Sequence, residues 1–239
     1  MSATPAKATL KTALNLLVFA VLGTAVLAST FSLTHDLIVK SEEAEKLKLI
    51  KQIVPGALFD NDIIKDTLTV PGNAQLGTSR PGIAYRARLQ GKPSVVVLEA
   101  VAPDGYSGKI TLIVAIREDA SITGVRVVRH KETPGLGDYI EFAKNRWISL
   151  FDGASHARYK EGDWKVKKDG GQFDYMAGAT ITPRAVVKAV HKTLHYYEEN
   201  REQLFAKVAA KPGGTTSHST GLSKDDNQAA GYTREEVKK

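Results

Sequence analysis

From Ala13 to Leu33 the chain reads A-L-N-L-L-V-F-A-V-L-G-T-A-V-L-A-S-T-F-S-L, without one charged residue. As a helix this segment rises about 30 Å, the thickness of a bilayer's hydrocarbon core. Gly23, Thr24, Ala25 and Ala28 offer a small-residue face on which a partner helix could pack closely. Lys7 and Lys11 precede the run, whereas Asp36, Glu42, Glu43 and Glu45 dilute the positive charge beyond it. The positive-inside rule then predicts a cytoplasmic segment at 1–12, a transmembrane helix at 13–34 and export of everything after it. Val26 and Ala28 before Ser29 also satisfy a signal-peptidase site. The apolar run continues past that point through Phe31 and Leu33, which favours a retained anchor.

The 239 residues are 42% hydrophobic and 25% charged, enough for one folded domain or at most two. The net charge of +7 is scattered. Its densest run, Lys165, Lys167 and Lys168, lies beside Asp163 and Asp169 without an aromatic-and-Arg platform, so no nucleic-acid partner is expected. Cysteine is absent, which excludes disulfides, thiolate-held iron–sulfur clusters, thioether-linked haem and a cysteine nucleophile. A redox cofactor in this chain must be held in some other way.

Residues 35–75 read as a stalk and connecting segment. Ser41-Glu-Glu-Ala-Glu45 opens a charged helix through Lys51, with Leu47, Ile50 and Val54 on one face and Pro55 as its stop. A domain is predicted over 76–204. Ala84–Gln90 and Ser121–Arg129 alternate, and Ser94–Val101 and Lys109–Ile116 are buried-type apolar runs, which together predict an antiparallel sheet. Glu141–Phe151 reads as a helix with Trp147 and Leu150 turned inward. Pro183–Arg201 reads as a second, with an apolar stripe of Val186, Val187, Val190, Leu194 and Tyr197. The fold class is therefore α+β. Residues 205–239 lack periodicity and large apolar groups, and read as a disordered tail.

His191 and His195 stand one helical turn apart, but no third ligand follows at a recognisable spacing, so no metal site is expected from them. No G-x-S-x-G, Walker A or G-x-G-x-x-G pattern occurs. Two loops hold more promise. Glu132-Thr133-Pro134-Gly135-Leu136-Gly137-Asp138 presets a tight turn in which two glycines let a planar ligand approach the backbone, although a plain connection would read the same. In Asp174-Tyr-Met-Ala-Gly178-Ala179-Thr180-Ile-Thr182-Pro183-Arg184, Thr182 is suited to cap a helix and Pro183 to begin it. A threonine hydroxyl beside that helix start is a favourable place for a phosphate, because free N–H groups and the helix dipole stabilise negative charge. Read from the residues alone, the loop serves either as a phosphate site or simply as a helix cap.

The same segment resembles the flavinylation motif of the FMN-binding domain family, D-x-x-S/T-G-A-T, whose last threonine accepts FMN through a phosphoester. The anchor, the stalk, E-T-P-G-L-G, a helix containing Trp147 and G-A-T-I-T-P-R occur in the order found in the RnfG family, the G-type subunits of Rnf ion-translocating oxidoreductases. That resemblance implies covalent FMN on Thr180, with Asp174, Gly178, Ala179 and Thr182 shaping its loop. Glu132, Thr133, Gly135, Leu136 and Gly137 then border the isoalloxazine, and no independent catalytic site is expected. It also implies electron transfer between ferredoxin and NAD coupled to ion movement. The expected partners are the other subunits of a membrane electron-transport complex and a flavin transferase, and the expected location is the bacterial inner membrane, with the C-terminal domain periplasmic. Ala177 stands where the family carries Ser or Thr. The C-type subunit of the sodium-pumping NADH:quinone oxidoreductase shares the domain and is the near alternative. An exported flavin-binding or sensing module without turnover and a cofactor-free assembly adaptor are the others.

Overall fold

The computed structural model describes residues 5–206; the predicted tail falls almost wholly outside them. Helix α1 runs unbroken from Pro5 to Ile53. The expected membrane span and stalk helix are thus one rod, since no glycine pair or proline separates them and the charged segment continues the helical hydrogen bonding of the apolar one. Thr9–His35 is exposed throughout, and is long and apolar enough to cross a membrane.

Five strands follow: β1 (Thr67–Val70), β2 (Gly82–Leu89), β3 (Lys92–Gly105), β4 (Gly108–Arg117) and β5 (Ile122–Arg129). They form one antiparallel meander in the order β1-β2-β3-β4-β5, and with the helices this is the expected α+β fold. Four of the strands fall on the predicted segments. β1 lies inside the segment read as a connector: its four residues are too short to show alternation, and pairing with β2 defines it.

The apolar runs of β3 and β4 have a direct physical cause, because both faces of the sheet are covered. Val96, Leu98, Ile110, Leu112, Val114 and Ile116 pack beneath helix α2 (Ile181–Phe205), which contributes Val186, Val187, Val190, Leu194 and Tyr197 as its stripe predicted. Val95, Val97, Ile113 and Ala115 point the other way and pack on Ile50, Ile53 and Val54 at the end of α1. Gly124 permits that second contact: a Cβ there would lie 2.8 Å from Ile53 Cγ2. Lys46 pairs with Glu99 at 3.3 Å, and Arg126 donates to Gln52 at 3.2 Å, so the rod is held to the sheet by polar contacts as well.

The helix predicted at Glu141–Phe151 is instead a turn followed by one 3-10 segment, Arg146–Phe151, and a second 3-10 segment, Gly137–Ile140, lies just ahead of it. Asn145 separates them in extended backbone and accepts from Trp147 N–H at 2.8 Å, starting Arg146–Phe151. Trp147 is buried as expected, whereas Leu150 is 37% exposed and faces outward. The segment is six residues long, too short to carry an α-helical stripe, and Ile148 and Phe151 are its other buried residues.

Candidate functional site

Glu132 organises the candidate site. It is 4% exposed, and its two carboxylate oxygens face different elements. Oε1 accepts the Ser107 N–H at 3.0 Å from the β3–β4 hairpin, and Oε2 accepts the Thr182 hydroxyl from the first turn of α2. Its own N–H donates to His130 Nδ1 at 3.0 Å, and His130 Nε2 lies 2.7 Å from Glu141 Oε1. One buried carboxylate therefore joins three chain segments that are far apart in sequence.

The turn after Glu132 closes as the Pro-Gly pair predicts. Leu136 and Gly137 donate to Thr133 O at 3.1 and 3.0 Å, and Gly135 adopts φ +76°. Gly137 is sterically required, because a Cβ would sit 2.9 Å from both Glu132 Cβ and Thr182 Oγ1. The adjoining Asp138 pairs with Lys144 at 2.9 Å, and the Lys144 hydrogen bond holds its carboxyl below the ordinary range.

The loop before α2 is fixed at several points. Asp174 O accepts the Trp147 indole N–H at 2.7 Å, and the Asp174 carboxylate meets Lys167 at 2.5 Å. Met176 N–H donates to the Tyr139 hydroxyl at 3.3 Å, and burial pushes that phenol up to about 12. Gly178 takes φ +84°, a left-handed turn that redirects the chain into the helix.

Helix α2 begins at Ile181, with Thr180 at the capping position. Thr182 is therefore not the cap; it lies inside the first turn, 1% exposed, and its hydroxyl is committed to Glu132. Thr180 has φ −77° and ψ −24°, and its side chain caps no backbone N–H. Its carbonyl accepts from Arg184 N–H at 3.3 Å. The N–H groups of Ile181 and Thr182 have no intrahelical acceptor, and Pro183 has none to donate.

These segments enclose a cavity of about 250 Å³. Eight of the predicted site residues line it: Glu132, Thr133, Leu136, Gly137, Gly178, Ala179, Thr180 and Thr182. Gly135 and Asp174 do not; Gly135 shapes the turn, and Asp174 anchors the loop from outside. Tyr106 and Ile181 line the cavity without having been predicted. The D-G-Y-S-G hairpin carries no local sign that its tip reaches a site, and Ile181 was hidden by a helix start predicted too late.

The residues suit FMN in type and position. Leu136 and Ile181 offer apolar contact, the close-packed Gly137 keeps the wall flat, and uncommitted N–H groups at a helix start suit a phosphate. The cavity is smaller than the roughly 300–1,000 Å³ of pockets that enclose a ligand. Part of a bound FMN would therefore stand open to solvent or a partner.

A second cluster of titratable side chains lies elsewhere on α2. His191 and His195 are joined by His156 and by Glu161, which opens a short 3-10 segment, so two further side chains reach the pair from a distant stretch of chain. Burial holds His191 below the ordinary histidine pKa, with the neighbouring imidazoles adding to this and Glu161 opposing it.

The chain matches the FMN-binding domain family over residues 105–195 and the RnfG N-terminal region over residues 1–53. It is similar to the G-type subunit of the ion-translocating oxidoreductase complex of Pseudomonas aeruginosa, 44% identical over 210 residues covering 88% of this chain and 98% of that protein. The same-named proteins of Aliivibrio fischeri and Vibrio cholerae are 44% and 43% identical over 194 residues, 81% of this chain and 92% of each of theirs.

Proposed function

This chain belongs to the RnfG family of ion-translocating oxidoreductase complexes, and from that premise we propose that it is an electron-transfer subunit carrying FMN as a phosphoester on Thr180 Oγ. The observation that supports the attachment is the Thr180 hydroxyl, which borders the cavity at the start of α2 and is not spent on capping. Thr182, two residues away, has its hydroxyl bound to Glu132 and is the poorer acceptor. The phosphate would lie against the Ile181 and Thr182 N–H groups, where the helix dipole favours negative charge. Leu136, Ile181 and Tyr106 would contact the ring system, while Gly178 and Ala179 leave the acceptor accessible. Glu132 and the Ser107 N–H hold the hairpin, the turn and the helix start in one arrangement. Bound FMN would supply the redox chemistry that no side chain here offers.

The partners in this reading are the other subunits of the complex, which pass electrons between ferredoxin and NAD, and a flavin transferase that modifies Thr180. Thr9–His35 crosses the bacterial inner membrane once, with the domain on the periplasmic side. Identity of 44% to G-type subunits over 81–88% of the chain favours this assignment over the C-type subunit of a sodium-pumping NADH:quinone oxidoreductase. The test is intact mass and visible spectrum of the full chain made together with its flavin transferase. Wild-type protein is expected to carry one FMN that survives acid precipitation, and Thr180→Ala to carry none while remaining folded. Acid-stable flavin on Thr180→Ala would overturn the assignment.

A further inference from the structure

His156, Glu161, His191 and His195 each offer a ligand atom, and these atoms all lie within 4.8 Å of one another. Glu161 Oε2 is 3.2 Å from His191 Nε2 and 3.3 Å from His195 Nε2. With metal–ligand bonds of about 2.0–2.1 Å, the edge of a tetrahedral site is about 3.3 Å. Two edges therefore already have the required length.

Hydrogen bonding gives an independent indication. Among the described residues, His156 Nε2 and His191 Nε2 are both buried without a hydrogen-bond partner. Glu161 is near enough to accept from His191 yet is not aligned to do so, as expected of two groups directed at a common point instead of at each other. Unpaired buried nitrogens are costly, and a cation would satisfy both.

The surroundings fit as well. His156 Nδ1 is 2.8 Å from Glu198 Oε2, an outer carboxylate that favours the proton on Nδ1 and leaves the Nε2 lone pair for a metal. The His191 ring stacks on Trp164 at 4.9 Å and 6°, which fixes its plane. The i, i+4 spacing of His191 and His195 puts both on one face of α2.

We propose that these four residues form a site for a divalent cation of the zinc class, pinning the 156–164 loop to helix α2. Three imidazoles and one carboxylate form a closed tetrahedral set, which suits a structural cation that needs no open position. His191 lies eleven residues beyond Thr180, about 16 Å along the helix, so this site is separate from the flavin cavity.

The test uses the full-length flavinylated chain in detergent, purified through a tag without histidine and loaded with zinc chloride before dialysis. Bound zinc is measured by elemental analysis, and melting is followed with and without EDTA. Wild-type protein is expected to retain stoichiometric zinc and to melt several degrees lower after chelation. Glu161→Ala with His195→Ala removes the two more exposed ligands without opening the core, and should abolish retention and the EDTA effect while flavin content stays unchanged. Glu198→Gln leaves all four ligands and should weaken zinc about 10- to 100-fold. Wild-type protein that retains no zinc, or a double variant that retains as much as wild type, would overturn the proposal.

Discussion

At the scale of single residues, Thr180 and Thr182 place two neighbouring hydroxyls in different surroundings. Thr182 is buried and donates to a buried carboxylate; removing it leaves Glu132 Oε2 without that partner in a place water reaches poorly. Such an orphan costs about 1–3 kcal/mol, more than the roughly 1 kcal/mol of a lost helix cap. Thr182→Ala is therefore expected to lower stability by about 1–3 kcal/mol in denaturant titration while acid-stable FMN remains, the opposite of Thr180→Ala. The sequence made both threonines visible but not their different surroundings, because a capping threonine and one at the second helical position differ only by where the helix begins. Glu132 was legible as part of a turn. Its role as the link between three segments was not, since Ser107 and Thr182 are 25 and 50 residues away from it. The histidine cluster was hidden for the same reason: the i, i+4 pair can be read locally, whereas His156 and Glu161 are supplied by an irregular loop whose path depends on tertiary packing.

At the scale of elements, the contact between α1 and the sheet depends on the absence of a side chain at one position of β5. Gly124→Ala directs a methyl group at the Ile53 side chain, and overpacking of this kind costs typically about 1–3 kcal/mol. The expected outcome is a lower melting temperature together with faster proteolysis near residues 53–60, with flavin content retained because α2 covers the other face. Unchanged melting would mean that the helix end yields without cost. The longer strands were legible because burial on both faces produces continuous apolar runs, and α2 was legible because one face alone is covered and gives a helical stripe. β1 was not, as four residues show no period, and the 3-10 segment Arg146–Phe151 was misread because six residues are too few to separate a 3-10 from an α-helical spacing.

At the scale of the whole molecule, the lysines ahead of Ala13 and the acidic residues beyond the span predict the side of the membrane on which the domain lies. A reporter joined after residue 204 and active only on export is expected to give signal, with no signal from a cytoplasm-specific reporter at the same position. The reverse pattern would invert the proposed topology. Whichever side it occupies, the domain is carried on a helix without a break between the lipid-facing stretch and the last turns packed under the sheet. Helix α1 thus behaves as a shaft with a phase, not as a leash with a length. Each residue added between Leu37 and Glu42 would lift the flavin cavity by about 1.5 Å and turn it by about 100° about the shaft. A seven-residue insertion would bring the heading back to within about 20° while raising the cavity about 10 Å. Electron flux through the assembled complex should therefore rise and fall with the helical period as residues are inserted one at a time, where a flexible connection would give a smooth decline.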